Sequence, residues 1–244
     1  MPKPHTFANI PIDPKMIEKI DNECEHIDEL LKSWTYYDKT VYRKCITAQK
    51  FKQGGNNFQG IFGEVLINAS MADFLSLLIS KETVDEKSPL QIQKSTIGQK
   101  IFFCSPEDKV RHDNLVNKVS AETFHIVTHN VSRSPVPMIV SHRDAVVVSV
   151  LRVVSPKKAY YYSIPHECEE KLDGVVRAYC LKQYIEVEQI DSNQVKVSQY
   201  VLCDPKGQVP AMLFNACLDE RNSILHLMKG LLEGTIKAEY GTYK

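Results

Sequence analysis

The hydrophobic pattern predicts helices towards both ends of the chain. After Asp13 and Pro14, isoleucines and leucines recur at helical spacing, and this pair is typical of a helix start because aspartate caps the first turn and proline fits it. This first helix is expected to run to about Trp34, the only tryptophan. A second, short helix is predicted in NASMADFLSLLIS, with Asn68 or Ser70 as its cap.

Residues typical of strands dominate between these two helices and again from Glu122 onwards. TYYDKTVYRKCITAQKF and FQGIFGEVLI are predicted strands on either side of a GGNN turn. Beyond Glu122, turn signals separate five further stretches, ETFHIVTHNV, RDAVVVSVLRVV, KAYYYSI, GVVRAYCLKQYIEVEQI and QVKVSQYVLC. Their close succession favours an antiparallel meander over strands joined by helical crossovers. Between Lys81 and Asn117, a strand is predicted at Ile101–Phe103, and its charge-rich flanks fit either a loop or a short helix.

A long amphipathic helix is predicted from about Pro210 to Leu232, with Gly234 as its stop. At about 100° per residue, apolar side chains fill one side: Leu213, Phe214, Cys217, Leu218, Ile224, Leu225, Leu227, Met228, Leu231 and Leu232. Polar residues, Asn222 among them, occupy the other side. Arg221 falls near the middle of the apolar face, where it must snorkel, pair with a carboxylate or meet a polar group of a ligand. It is therefore one candidate ligand-binding residue.

The composition is that of a globular protein whose charges cancel. The 244 residues include 43% hydrophobic and 25% charged residues, with 30 basic and 30 acidic side chains. This balance gives no overall field that would attract nucleic acid or an anionic membrane. The seven cysteines are scattered, without a Cys-x-x-Cys pair to seed a zinc site. We expect reduced thiols, a cytoplasmic protein, and neither a signal peptide nor a membrane-spanning helix.

Three segments contain more specific motifs. PVPMIVSHRDAVVVSVLRVV is a proline-rich lead into an Arg-Asp pair that opens a strand, and SIPHECEEKLDGVVRAY is a loop followed by a Val-Arg-Ala strand. YVLCDPKGQVPAMLFNACL joins a strand, an Asp-Pro-Lys-Gly turn and the amphipathic helix. In this order the segments resemble the START family, the lipid-transfer domains related to steroidogenic acute regulatory protein. The resemblance spans about residues 13–232 of a single expected domain, 1–244.

The resemblance implies an α+β helix-grip fold, in which a curved antiparallel sheet wraps around the long C-terminal helix and encloses a hydrophobic tunnel. START domains hold one lipid or sterol molecule in that tunnel and carry or sense it without chemistry on it. We therefore expect a lipid transfer protein that moves a phospholipid, sphingolipid or sterol between membranes. It is expected to be a monomer that touches membrane surfaces transiently, binds no nucleic acid, uses no metal or cofactor and is not an enzyme.

The resemblance also points to ligand-binding residues. In sterol-carrying relatives an acidic and a basic side chain face each other inside the tunnel, and the matching positions here are Asn130 and Ser149. Because both charges are absent, the sequence favours a lipid anchored by neutral hydrogen bonds or by Arg143. With strand alternation and the apolar helix face, the expected ligand-binding residues are Ile126, Thr128, Asn130, Arg143, Val147, Ser149, Leu213, Phe214, Cys217, Arg221 and Met228.

Several alternatives stay open. Arg143 and Asp144 equally fit a structural pair, and Asn130 and Ser149 equally fit hydrogen bonds to each other or to water. Helix-grip folds also host cyclases and hydratases, and Asp144 or His142 would then supply the acid or base. A sensor that uses lipid occupancy as a signal is a third function. The loop PHECEE lacks a second pair of ligands, so no metal site is expected there.

Overall fold

The computed structural model describes residues 10, 13–54, 57–80, 96–132, 141–168, 171–207, 209–216 and 218–236. The helices are α1 (Pro14–Glu25), α2 (Ile27–Lys32), α3 (Met71–Ser80), α4 (Pro106–Val116), α5 (Ala211–Ala216) and α6 (Ser223–Leu232), with a 3₁₀ segment at Leu218–Asn222. The strands are β1 (Thr35–Tyr42), β2 (Ile46–Lys52), β3 (Gly60–Ile67), β4 (Thr96–Phe103), β5 (Phe124–Ser132), β6 (His142–Ser155), β7 (Lys158–Pro165), β8 (Val175–Arg177), β9 (Tyr179–Asp191) and β10 (Gln194–Asp204).

A single ten-stranded sheet organises these elements. Its strand order is β1-β2-β3-β10-β9-β7-β6-β5-β4, with the short β8 paired in parallel to β6. The long strands from β5 to β10 are successive antiparallel neighbours, so the predicted meander is confirmed. The pairing of β3 with β10 joins segments that are far apart along the chain. The result is an α+β fold with a large antiparallel sheet, as predicted.

Helices α1 and α2 cover one face of the sheet, here called the outer face. Asp13 caps α1 as predicted. The hydroxyl of Tyr162 in β7 donates to the carboxylate of Glu23 in α1 at 2.6 Å, which ties the helix to the sheet. Trp34, just after α2, stacks on Phe51 of β2 with ring centroids 4.2 Å apart. The predicted first helix is therefore present, with a break at residue 26.

The opposite face, here called the concave face, packs against α3 and α6 and holds the main apolar core. Phe74 of α3, with Leu225 and Met228 of α6, is buried in this core. Of the two predicted caps for α3, Ser70 is the one used, because its hydroxyl accepts a hydrogen bond from the backbone N–H of Asp73 at 3.1 Å. The C-terminal helix thus packs on the sheet as the helix-grip fold requires.

The predicted continuity of the helix from Pro210 to Leu232 is wrong. Helix α5 ends at Ala216, the 3₁₀ segment occupies 218–222, and α6 starts at Ser223. Because a 3₁₀ turn has about 3.0 residues instead of 3.6, a helical face calculated across the break loses its phase. As a consequence Arg221 is exposed, although the pattern placed it on the apolar face, and Asn222 is buried, although the pattern placed it on the polar side.

Candidate functional site

The concave face is where the structure gathers the predicted ligand-binding residues of β5 and β6. The two strands pair in a register that sets Ile126 opposite Ser149 and Thr128 opposite Val147. All four side chains are buried. Met228 of α6 lies in the same apolar core as Ile126 and is 1% exposed. Strand alternation was therefore sufficient to assign these residues to one face.

Asn130 and Ser149 are not hydrogen-bonded to each other. Asn130 lies opposite Ala145, four residues along β6 from Ser149, a separation of about 13 Å at the strand rise of about 3.3 Å. The Ser149 hydroxyl instead lies 2.8 Å from that of Ser163 in β7 and accepts a hydrogen bond from the Tyr161 hydroxyl at 3.2 Å. These three residues form a neutral polar cluster at the centre of the concave face.

The concave face buries several other uncharged polar side chains. Besides Thr128, Ser149 and Ser163, it buries Gln199 of β10 and, from the covering segment, Asn222. Within the described ranges, the fully buried carboxylates are those of Asp108 and Asp144, and both are bound elsewhere. The interior that the sheet and its covering helices enclose is thus apolar and neutral, with hydrogen-bonding groups at a few points.

Arg143 lies at the rim of the concave face, where it holds the Asp-Pro-Lys-Gly turn. Its Nε donates to the backbone carbonyl of Pro205 at 3.2 Å, and Nη2 donates to that of Lys206 at 3.3 Å. Nη1 donates to the carbonyl of Ser141. Burial lowers the pKa of Arg143. These contacts support the structural explanation of Arg143 that the sequence had left open.

Asp144 points to the outer face and is the centre of a buried ionic network. Its carboxylate receives two hydrogen bonds from Arg177 of β8, at 3.0 Å and 2.8 Å, and lies 2.8 Å from Nε2 of His129. Burial by itself would raise the pKa of Asp144, but the hydrogen bonds from His129 and Arg177 outweigh burial, and the pKa is lowered. The network joins β5, β6 and β8.

The predicted ligand-binding residues of the C-terminal helix lie in different surroundings. Phe214 of α5 is half-buried and packs edge-on against Phe58, with ring centroids 5.3 Å apart. Arg221 is exposed, and its guanidinium lies 5.0 Å from the ring of Phe214, so it pairs with an aromatic ring at the surface. Cys217 lies outside the described residues, and of Leu213 the structure describes the backbone alone.

A cavity opens away from the concave face, beside the start of α1 and the Asp-Pro-Lys-Gly turn. It measures about 380 Å³ and is lined by Asp13, Met16, Lys19, Pro165, His166, Glu167, Tyr179 and Lys206. Its lining includes two carboxylates and two lysines. These charged groups suit a polar ligand better than an acyl chain, and the concave face is the better candidate site.

Gly63 of β3 allows the 3₁₀ segment to lie directly on the sheet. A Cβ atom at this position would come within 2.2 Å of Oδ1 of Asn222. We expect Gly63→Ala to lower the free energy of unfolding by about 1–3 kcal/mol in urea denaturation, because the covering segment must move away. Gly54→Ala is the matched control, since a Cβ there meets nothing within 4 Å, and a change within about 0.5 kcal/mol is expected. Equal losses in both variants would contradict this contact.

Two properties of the described residues bear on the class of protein. No helix among them is long and apolar enough to cross a membrane. They also contain no group of three or more His, Cys, Asp or Glu side chains placed to hold a metal ion.

The fold is that of the StAR-related lipid transfer domains, the START fold. Human StAR-related lipid transfer protein 5 matches it with a TM-score of 0.66 and 11% identity, over 92% of this chain and 100% of that chain. Human STARD10 matches with a TM-score of 0.61 and 11% identity, over 91% and 79%. The lipid transfer and protein localization domain of human StarD13 matches with a TM-score of 0.57 and 18% identity, over 91% and 98%. No family model and no curated protein matches the sequence.

Proposed function

We propose that the protein binds one lipid molecule between the concave face and the C-terminal segment (211–216 and 218–232), and transfers it between membranes. The observation that carries this proposal is the chemistry of the concave face, a large buried apolar core with a few neutral polar side chains and no buried Lys or Arg among the described residues. Burying an acyl chain there contributes about 25 cal/mol per Å² before ordering costs. The names of the matching structures, which refer to lipid transfer, support the same role.

Loading and release require the C-terminal segment to move away from the sheet. Helix α5 has only six residues and is separated from α6 by the 3₁₀ segment. Met212 on α5 is 77% exposed, so this end of the segment presents an apolar side chain to its surroundings. Short elements with few buried contacts open at low cost in free energy. We propose that α5 opens first, during transient contact with a membrane surface.

We propose a carrier and not an enzyme. Chemistry on the ligand would need an acid or base beside it, and the sequence offered Asp144 and His142 for that role. Strand alternation along β6 directs both side chains to the outer face, and Asp144 is bound there by Arg177 and His129. This arrangement supports a carrier, since neither group is directed to the ligand.

Vesicle transfer tests the proposal. We expect the purified protein alone to move a fluorescent lipid from donor to acceptor vesicles, and native mass spectrometry of the protein as purified from cells to show one bound lipid per chain. Transfer without a partner protein would favour a carrier over an occupancy sensor. A protein that carries no lipid and accelerates no transfer of phospholipid, sphingolipid, neutral glycerolipid or sterol would refute the proposal.

A further inference from the structure

Two buried amide side chains meet where the C-terminal segment touches the sheet. Gln199 of β10 is 2% exposed, and Asn222, the last residue of the 3₁₀ segment, is 0% exposed. Among the described residues, Oε1 of Gln199 and both Oδ1 and Nδ2 of Asn222 have no hydrogen-bond partner. Native proteins rarely leave buried polar atoms unsatisfied, and such atoms commonly mark the place of a water molecule or a ligand.

The two side chains are neighbours across Gly63. Gln199 pairs with Gly63 in the sheet, and Oδ1 of Asn222 occupies the space that a side chain on residue 63 would fill. Nε2 of Gln199 is directed to the backbone carbonyl of Arg221 at 3.5 Å, next to Asn222 in the chain. The pair therefore presents one donor, Nδ2 of Asn222, and two acceptors, Oδ1 of Asn222 and Oε1 of Gln199.

The position of Asn222 in the chain makes its free amide unusual. Asn222 immediately precedes α6, where an asparagine side chain normally accepts a hydrogen bond from the first turn of the helix. Here it makes no such capping hydrogen bond. The 3₁₀ segment turns the amide towards the sheet instead. A 3₁₀ stretch within a helix often marks a functional hinge or a sequence under strain.

Two cationic side chains on this side of the molecule are already engaged, whereas the buried Oδ1 of Asp219 in the 3₁₀ segment has no hydrogen-bond partner among the described residues. Lys50, on the neighbouring strand β2, lies 2.8 Å from the carboxylate of Asp38. Arg143, at the rim, donates to the backbone of the Asp-Pro-Lys-Gly turn. Since no Lys or Arg side chain among the described residues is buried, a phosphate would have no buried counter-charge at this site.

We infer that Gln199 and Asn222 bind the polar group of the lipid, and that this group is uncharged and both donates and accepts hydrogen bonds. A hydroxyl, as in diacylglycerol, and an amide with hydroxyls, as in ceramide, share this chemistry. The inference rests on the proposed function, since it assigns the head group of a lipid bound at the concave face.

Binding of fluorescent probes to the full chain tests the inference. The probes carry the same labelled acyl chain on diacylglycerol, on ceramide, on phosphatidylcholine, and on the O-methyl ether of the same diacylglycerol, which keeps both acyl chains and cannot donate. We expect diacylglycerol or ceramide to bind roughly tenfold more tightly than the methyl ether, a difference that one or two ordinary hydrogen bonds supply. Whichever of the diacylglycerol and ceramide probes binds more tightly identifies the lipid that the site prefers.

Asn222→Leu keeps the branched shape of the side chain and removes both polar atoms. We expect it to abolish the preference over the methyl ether, to leave methyl ether binding within about twofold, and to leave the melting temperature unchanged or raised, because it removes unsatisfied buried atoms. Gln199→Met tests the other half of the subsite, and Asn222→Ala, which also removes both polar atoms but leaves a smaller side chain, replaces Asn222→Leu if that variant does not fold.

Asn215→Leu is the matched control in the same segment. The amide of Asn215 is already used within the protein, since its Oδ1 accepts from the backbone N–H of Gln59 at 3.0 Å. This variant should lower the melting temperature and keep the probe preference, the reverse of the result for Asn222→Leu.

The outcomes separate the two proposals. A preference that survives in both Asn222→Leu and Gln199→Met, or tighter binding of phosphatidylcholine than of either neutral lipid, overturns the subsite and leaves lipid binding intact. If wild-type protein binds none of the four probes, lipid binding itself fails and the subsite fails with it.

Discussion

Arg177→Met lowers the free energy of unfolding by about 3–5 kcal/mol, because it leaves the carboxylate of Asp144 buried without its main counter-charge. Asp144 is 2% exposed and receives two hydrogen bonds from Arg177. His129 remains as a single partner and cannot replace the paired geometry of a guanidinium. The loss is measured by urea denaturation at neutral pH.

Arg152→Met is the control for this substitution. Arg152 pairs with Glu25 at 3.0 Å, but both side chains are partly exposed to water, by 34% and 55%. An ion pair of this kind contributes about 0–1 kcal/mol. If the free energy of unfolding fell equally in the two arginine variants, the buried network would contribute no more to stability than an exposed ion pair.

The effect of Arg177→Met depends on pH in a defined direction. In the folded protein the pKa of Asp144 is lowered, so the network contributes its full stability above the ordinary aspartate pKa of about 3.9 and loses it as the pH falls through the folded value. In the variant, Asp144 takes up a proton more easily. The difference in stability between wild type and variant should therefore narrow steadily as the pH falls from neutral to the folded pKa of Asp144 in the wild type.

Met228→Asp reduces lipid transfer to the level of vesicles without protein. Met228 is 1% exposed in α6, inside the apolar core of the concave face. A carboxylate there must either stay charged without a partner or take up a proton, and both cost several kcal/mol. Transfer of a fluorescent lipid between vesicles and the melting temperature, measured on the same preparation, show the loss.

Val119→Asp adds the same charge at a position that is 71% exposed, so it should leave transfer and melting temperature close to those of the wild type. Phe214→Asp tests the same covering segment at a half-buried position if Met228→Asp does not fold. Unchanged transfer in both Met228→Asp and Phe214→Asp would contradict a ligand beneath the C-terminal segment.

Helix α4 lies in a stretch that the sequence left open between a loop and a short helix, and it shows what limits a prediction from local pattern. Ser105 caps it, accepting from the backbone N–H of Asp108 at 3.0 Å, and Pro106 occupies the first turn. This Ser-Pro-Glu-Asp start is a legible helix signal. Few of its side chains are buried, however, and only one of those, Leu115, is apolar. An apolar stripe was therefore absent, and hydrophobic periodicity could not show the helix.

Part of the candidate site could be predicted from the sequence. Strand alternation placed Ile126, Thr128, Val147 and Ser149 together, and the same rule applied to VKVSQYV would have set Gln199 beside the buried valines of β10. Asn222 could not be found in this way, because helical periodicity assigned it to the polar side. The break before α6 reverses that assignment.

The sequence by itself determined the elements that depend on neighbours along the chain: the start of α1, the meander from β5 to β10, and an apolar C-terminal segment that must cover something. Turn residues, caps and alternation act locally, so a single sequence reveals them. Only the tertiary structure decided the partners that lie far apart in sequence. It joined β3 to β10, set Arg177 against Asp144, directed Arg143 to the turn, and broke the last helix so that Asn222 reaches the sheet. These contacts depend on sheet register and on how segments pack, and local periodicity carries no information about either.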